Sequence, residues 1–185
     1  MSTTDRRDVI DALSGDHRAV EDLLEQLDAV SAGPARLRKS LVDKLTLELA
    51  WHCEAEQRYL LPLERRGMTD GDDVADGQVT ENIAVEELLK DLEAKQPSDA
   101  RFEPLLAQLM ALAWGLIERE QQVTFVEVSR EVDHGELMAA GERLTAARVR
   151  VAARARPTAA EVLSGAVPPS IVERIHDALS VPDED

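Results

Sequence analysis

The chain has a single cysteine, Cys53, in 185 residues, which excludes an internal disulfide and fits a reducing, cytoplasmic compartment. Aromatic residues are equally scarce at 3%, so a core must be built from Leu, Val, Ile and Ala. Alternating β-branched runs are missing, and proline and glycine gather between long periodic stretches. Both features read as all-helical. The longest apolar run, Leu105 to Ile117, is broken by Gln108 and falls short of the roughly 20 residues that a bilayer span needs. The densely charged start of the chain lacks the pattern of a signal peptide. Positive charge is also in deficit, with 21 Lys and Arg against 37 Asp and Glu, a net charge of −16. Such a surface repels a phosphate backbone, so nucleic acid is not an expected partner.

What is present is helical rhythm. After a polar start over residues 1–7, the positions Val9, Leu13, His17, Val20, Leu24 and Leu27 step by three and four. Ser14-Gly15-Asp16 within this stretch reads as a helix start or a kink. Ala32-Gly33-Pro34 separates it from a second helix, about Ala35 to Arg65, with Leu45, Leu49, His52, Glu56, Tyr59 and Leu63 on one face. A third helix, about Val74 to Lys95, carries Asn82, Val85, Leu89 and Leu92 inward and Glu86 at the stripe's edge. Pro97-Ser98-Asp99 breaks the chain again, with Ser98 or Asp99 as the expected cap. The fourth helix runs to about Val132 with Leu105, Leu109, Leu112, Leu116, Glu120 and Val123 facing in. Short connections favour an antiparallel, up-down-up-down four-helix bundle over residues 8–132. An arginine-rich helix is expected over 133–156, an Ala/Pro linker over 157–169, and a short amphipathic helix with an acidic tail over 170–185.

Polar residues therefore stand where such a bundle wants leucine. His52 and Glu56, four apart, share one helix face, and burying a charged carboxylate costs several kcal/mol, roughly, unless it is paired. A cation would use both. The alternatives are a core histidine satisfied by a hydrogen bond, with Glu56 reaching solvent, or carboxyls that share a proton. Glu86, among neighbouring glutamates, reads equally well as part of a solvated face. Cys53 lies roughly 100° round the helix from His52 and suits packing. Tyr59 is core, or a hydrogen-bond partner to a ligand. His134 and His176 read as surface residues. The arginines between Arg143 and Arg156 either dock on the bundle's own acidic surface or meet a partner or acidic headgroups.

The polar intrusions together carry a resemblance. Asp16-His17 comes first, then His52-x3-Glu56 followed by Leu60-Leu61-Pro62, then Glu81-Asn82-x3-Glu86 leading into Leu88-Leu89-Lys90-Asp91-Leu92. Last is Leu116-x3-Glu120, followed by Thr124-Phe125-Val126. Over about residues 8–132 the chain resembles the hemerythrin-like, HHE cation-binding family. That resemblance implies a four-helix bundle holding a non-haem di-iron site. The family pattern is a lone His, then His-x3-Glu, then His-x3-His or His-x3-Glu, then His with a carboxylate four or five residues on. Here Asn82 and Leu116 stand where that pattern has histidine. The implied metal ligands are His17, His52, Glu56, Glu86 and Glu120, the implied cofactor is iron, and the implied role is binding or sensing of oxygen, peroxide or nitric oxide. Whether that role includes turnover stays open. The losses motivate a second reading, a metal-free bundle serving as an interaction or regulatory module with a protein partner at the C-terminal extension. The carboxylate-rich set motivates a third, a ferritin-like ferroxidase.

Overall fold

The computed structural model describes residues 7–31, 33–154 and 169–180. The polar start before Arg7, Ala32, most of the Ala/Pro linker, Arg156 and the acidic tail lie outside the described residues.

Helix α1, Val9–Ala29, opens on Asp8, whose carboxylate accepts the Asp11 N–H at 2.8 Å. Ser14-Gly15-Asp16 neither starts nor interrupts it. Burial of Val9, Leu13, His17, Val20, Leu24 and Leu27 on one side outweighs the roughly 1 kcal/mol that one internal glycine costs. Helix α2, Ala35–Ala55, follows Pro34. It runs into a π-helical turn, Glu56–Leu60, and on into α3, Leu61–Gly67. Pro62 accounts for the widening, because it has no N–H to give and its ring would crowd the carbonyl one α-turn back. Within the turn the Leu61 N–H reaches the Glu56 carbonyl, five residues away. Gly71 then lets the chain reverse: a Cβ there would sit 2.0 Å from the Glu64 carbonyl oxygen.

Helix α4, Gly71–Glu93, and α5, Phe102–Arg119, complete the bundle. No side chain caps α5, contrary to the expectation for Ser98 or Asp99. The Asp99 carboxylate instead accepts the Gln96 N–H at 2.7 Å and closes the loop before the helix. A second π-helical turn, Glu120–Thr124, joins α5 to α6, Phe125–Glu131. Helix α7, His134–Arg154, lies along α1, and α8, Ile171–Ser180, packs on α2, α7 and α4.

Among the described residues every regular element is a helix, and none is a strand. Neighbouring helices run antiparallel round the bundle, and one apolar core unites it with α7 and α8 through Leu137, Ala140, Leu144, Val151, Val172 and Ile175. The two π turns shift the buried face by one residue. Val123 is therefore 47% exposed, against the expectation that it faces in, while Thr124 and Phe125 are buried. Tyr59 is half-buried, and Leu60 takes the core position.

Candidate metal centre

Inside the bundle, five polar side chains from five segments meet. His17 comes from the middle of α1, His52 from the last turn of α2, Asn82 from α4. Glu56 and Glu120 each open a π turn. All five are essentially inaccessible to solvent. His17 Nε2 lies 2.8 Å from Glu120 Oε2, and His52 Nε2 lies 3.2 Å from the same oxygen. The two imidazole centroids are 4.7 Å apart. Phe125 stacks on His17 at 5.2 Å, nearly parallel, and so fixes the ring. Glu56 Oε2 is 3.7 Å from His52 Nε2 and accepts from Asn82 Nδ2 at 3.1 Å. Toward solvent, Gln121 Nε2 lies 3.4 Å from His17 Nδ1.

The electrostatics follow from burial and pairing. Burial alone would raise the Glu120 carboxyl, but hydrogen bonds from His17 and His52 override it and hold the group below the usual carboxylate range. Burial disfavours a charged His52, yet Glu56 and Glu120 beside it prevail and raise it to about 9. Glu56 is raised, first by burial and then by the negative Glu120. Burial lowers His17, against the pull of Glu120.

A further buried acid borders the cluster. Glu64, on α3, is fully inaccessible, and the Gln78 carboxamide on α4, with its nitrogen turned inward, donates to it. Burial lifts the Glu64 carboxyl to about 7. Sequence reasoning passed over both residues. The available signal was that Glu64 lies two turns past Glu56, and Gln78 one turn before Asn82, on the same faces.

Glu86 is not brought to the cluster. It is half-buried, with Lys90 Nζ at 4.0 Å, and lines a groove with Val172 and His176 of α8. The inward pair of α4 is Gln78 and Asn82, so the step from Asn82 to Glu86 carries the side chain off the inner face toward α8. Leu116 is buried among the apolar core residues. Cys53 is buried and packs in the core. His134 is exposed. His176 is exposed, as expected, and its ring also bonds the buried Glu54 carboxylate and so ties α8 to α2. Arg148 bonds Glu48 and lies over the Trp51 ring, 4.7 Å from its centroid, which places this arginine on the bundle's own acidic surface.

The donor chemistry fits a cation. His17, His52 and Glu120 each offer one donor atom, all within 4.8 Å of one another, a pair of imidazoles with a carboxylate. Four buried atoms on these residues have no hydrogen-bond partner: His52 Nδ1, Glu56 Oε1, Asn82 Oδ1 and Glu120 Oε1. Buried polar atoms are rarely left so, and a group of four in one pocket is a mark of a bound ion or its waters. Three of the four are oxygens that an ion and its waters would satisfy.

Among known proteins, no curated sequence and no solved structure gives a match. A family model described as the hemerythrin HHE cation binding domain matches residues 8–128, well over half of the chain and the whole of the site just described. The chain belongs to the hemerythrin HHE cation-binding domain family.

Proposed function

We propose that this protein binds non-haem iron in the bundle core and uses it to bind or sense oxygen, peroxide or nitric oxide. His17, His52, Glu120 and Glu56 are the ligands in this reading. The observation that carries it is the convergence of two buried imidazoles from different helices on one carboxylate oxygen, amid four unsatisfied polar atoms. Two histidines with a carboxylate, leaving open positions, is the donor set that non-haem iron(II) sites favour. Bound iron would supply coordination sites and electrons to a small oxygen or nitrogen ligand. The chain's own residues do the rest. Phe125 orients His17, Asn82 orients Glu56, and the surrounding leucines, with Leu116 among them, keep bulk water out. The buried free Cys53 accords with a cytoplasmic setting, and no helix of the described residues is long and apolar enough to cross a membrane.

A second reading has one observation in its favour. Asn82 and the histidine–carboxylate bonds can close the pocket with protons alone, as a metal-free interaction module would require. Anaerobic titration with iron(II), followed by thermal unfolding and elemental analysis, separates the two. Iron binding to the folded state raises stability by about 2.7 kcal/mol at a hundredfold excess over Kd. An unchanged melting temperature in the wild type, matching that of His52→Ala, would remove the iron reading and leave the module.

A further inference from the structure

We infer that this centre holds one cation, and that the place of a second ion is closed by carboxamides, a leucine and the buried acid Glu64. This rests on the cation reading above and concerns how many ions the pocket takes. The inward polar residues of α4 are Gln78 and Asn82, and the residue four before Glu120 on α5 is Leu116. All three are buried, so none is a surface position that chance has left polar or apolar. None supplies an imidazole. Every nitrogen donor of the cluster therefore comes from α1 and α2, on one side of the Glu56 and Glu120 carboxylates.

The opposite side is already engaged. Asn82 Nδ2 donates to Glu56, and Gln78 donates to Glu64, so each carboxamide on α4 is matched with an acid on the helix it faces. Leu116 brings hydrocarbon where a third donor would be needed. Both amide nitrogens are held by these acids, and the one unpartnered oxygen left on this side, Asn82 Oδ1, is a single uncharged donor.

Charge counting gives the same answer. One divalent ion with ionised Glu56 and Glu120 and two neutral imidazoles is balanced. A second divalent ion in this fully buried pocket would leave surplus positive charge that Glu64 alone could not offset, and uncompensated buried charge is costly. Glu64 is instead satisfied by Gln78, outside the ligand set.

Cobalt(II) titration of the full-length protein, with absorbance and elemental analysis, tests the count. The expected result is saturation at one equivalent. Glu64→Gln also saturates at one, because no ligand is lost. Replacing Gln78, Asn82 and Leu116 together by histidine should raise the count to two. Two equivalents in the wild type, falling to one in Glu64→Gln, would overturn the inference by making Glu64 a ligand to a second ion. No cobalt bound at all would overturn the cation reading itself, and the inference with it.

Discussion

His17 and His52 point their Nε2 atoms at the same oxygen, Glu120 Oε2, from 2.8 and 3.2 Å. One carboxylate thus organises donors from three helices, and its removal has two separate effects. Without metal, Glu120→Ala strips the raised His52 of a buried partner. Breaking a buried ionic pair in this way costs about 3–5 kcal/mol. With metal, the same change deletes a ligand. Glu120→Ala should therefore melt lower than wild type and gain nothing from iron(II), whereas Glu120→Gln keeps the shape and part of the hydrogen bonding. Chemical denaturation with and without iron(II) checks this, and an iron-dependent gain in Glu120→Ala equal to wild type would exclude Glu120 from the ligand set.

Stability of the metal-free protein should fall as pH rises through neutrality. Glu64 sits at about 7 when folded, above its ordinary 4.5. Between those values the folded chain holds a proton that the unfolded chain has released. The folded state therefore gains least at high pH, and the loss is complete once pH passes the folded value. The full effect is up to about 3 kcal/mol, from the size of that shift. Glu64→Gln removes this contribution, so between about pH 4.5 and 7 its stability should fall less steeply than that of the wild type, the raised Glu56 and His52 supplying the slope that remains. Urea melts across that window are the measurement, and an undiminished slope in the variant would place the proton elsewhere.

The sequence revealed the helices and half of the centre because those parts obey simple periodicity. His17 and His52 interrupt regular leucine stripes on α1 and α2, and both turn inward as the spacing predicts. Glu56 and Glu120 are legible for the same reason. On α4, Asn82 turns inward and Glu86 stays at the edge as the stripe predicts, while Gln78 hides in a polar run. Burial, not spacing, identifies the inward pair. Glu64 sits beside Arg65 and Arg66 and so resembles a solvated stretch, yet it is the one of the three that faces the core. His176 gave no signal at all, since its partner Glu54 lies on a helix far away in sequence.

The π turns were the other illegible feature, and they are directly testable. Each begins at a buried carboxylate, and π turns often mark functional sites. Deleting the exposed Val123 should return the second turn to α-helical winding. The Phe125 N–H would then reach the Glu120 carbonyl across four residues instead of five, so Phe125 and Val128 keep their buried face. Val123→Ala, a surface change, should stay within about 0.5 kcal/mol of wild type. The deletion should stay folded and bind iron(II) more weakly, because the turn that presents Glu120 is rewound. A deletion variant with wild-type iron uptake would show that the wide turn has no part in placing Glu120.

Arg148 links the arginine-rich α7 to the residues adjoining both histidines. Trp51 precedes His52, and its indole N–H donates to Asp16, the neighbour of His17, at 2.7 Å. Burial raises the Asp16 carboxyl, and the Arg148 charge opposes that rise. Arg148 also covers the Trp51 ring and bonds Glu48. Its replacement by alanine removes a cation–π contact of about 0.5–2 kcal/mol and exposes the indole. In a Trp114→Phe background, which leaves Trp51 as the sole tryptophan, Arg148→Ala should shift the emission to longer wavelength. Arg148→Lys should recover only part of it, because a lysine keeps the charge and loses the planar stacking. If α7 docks through its apolar face alone, the emission of Arg148→Ala will match that of the parent, and the arginine will have no hold on this side of the site.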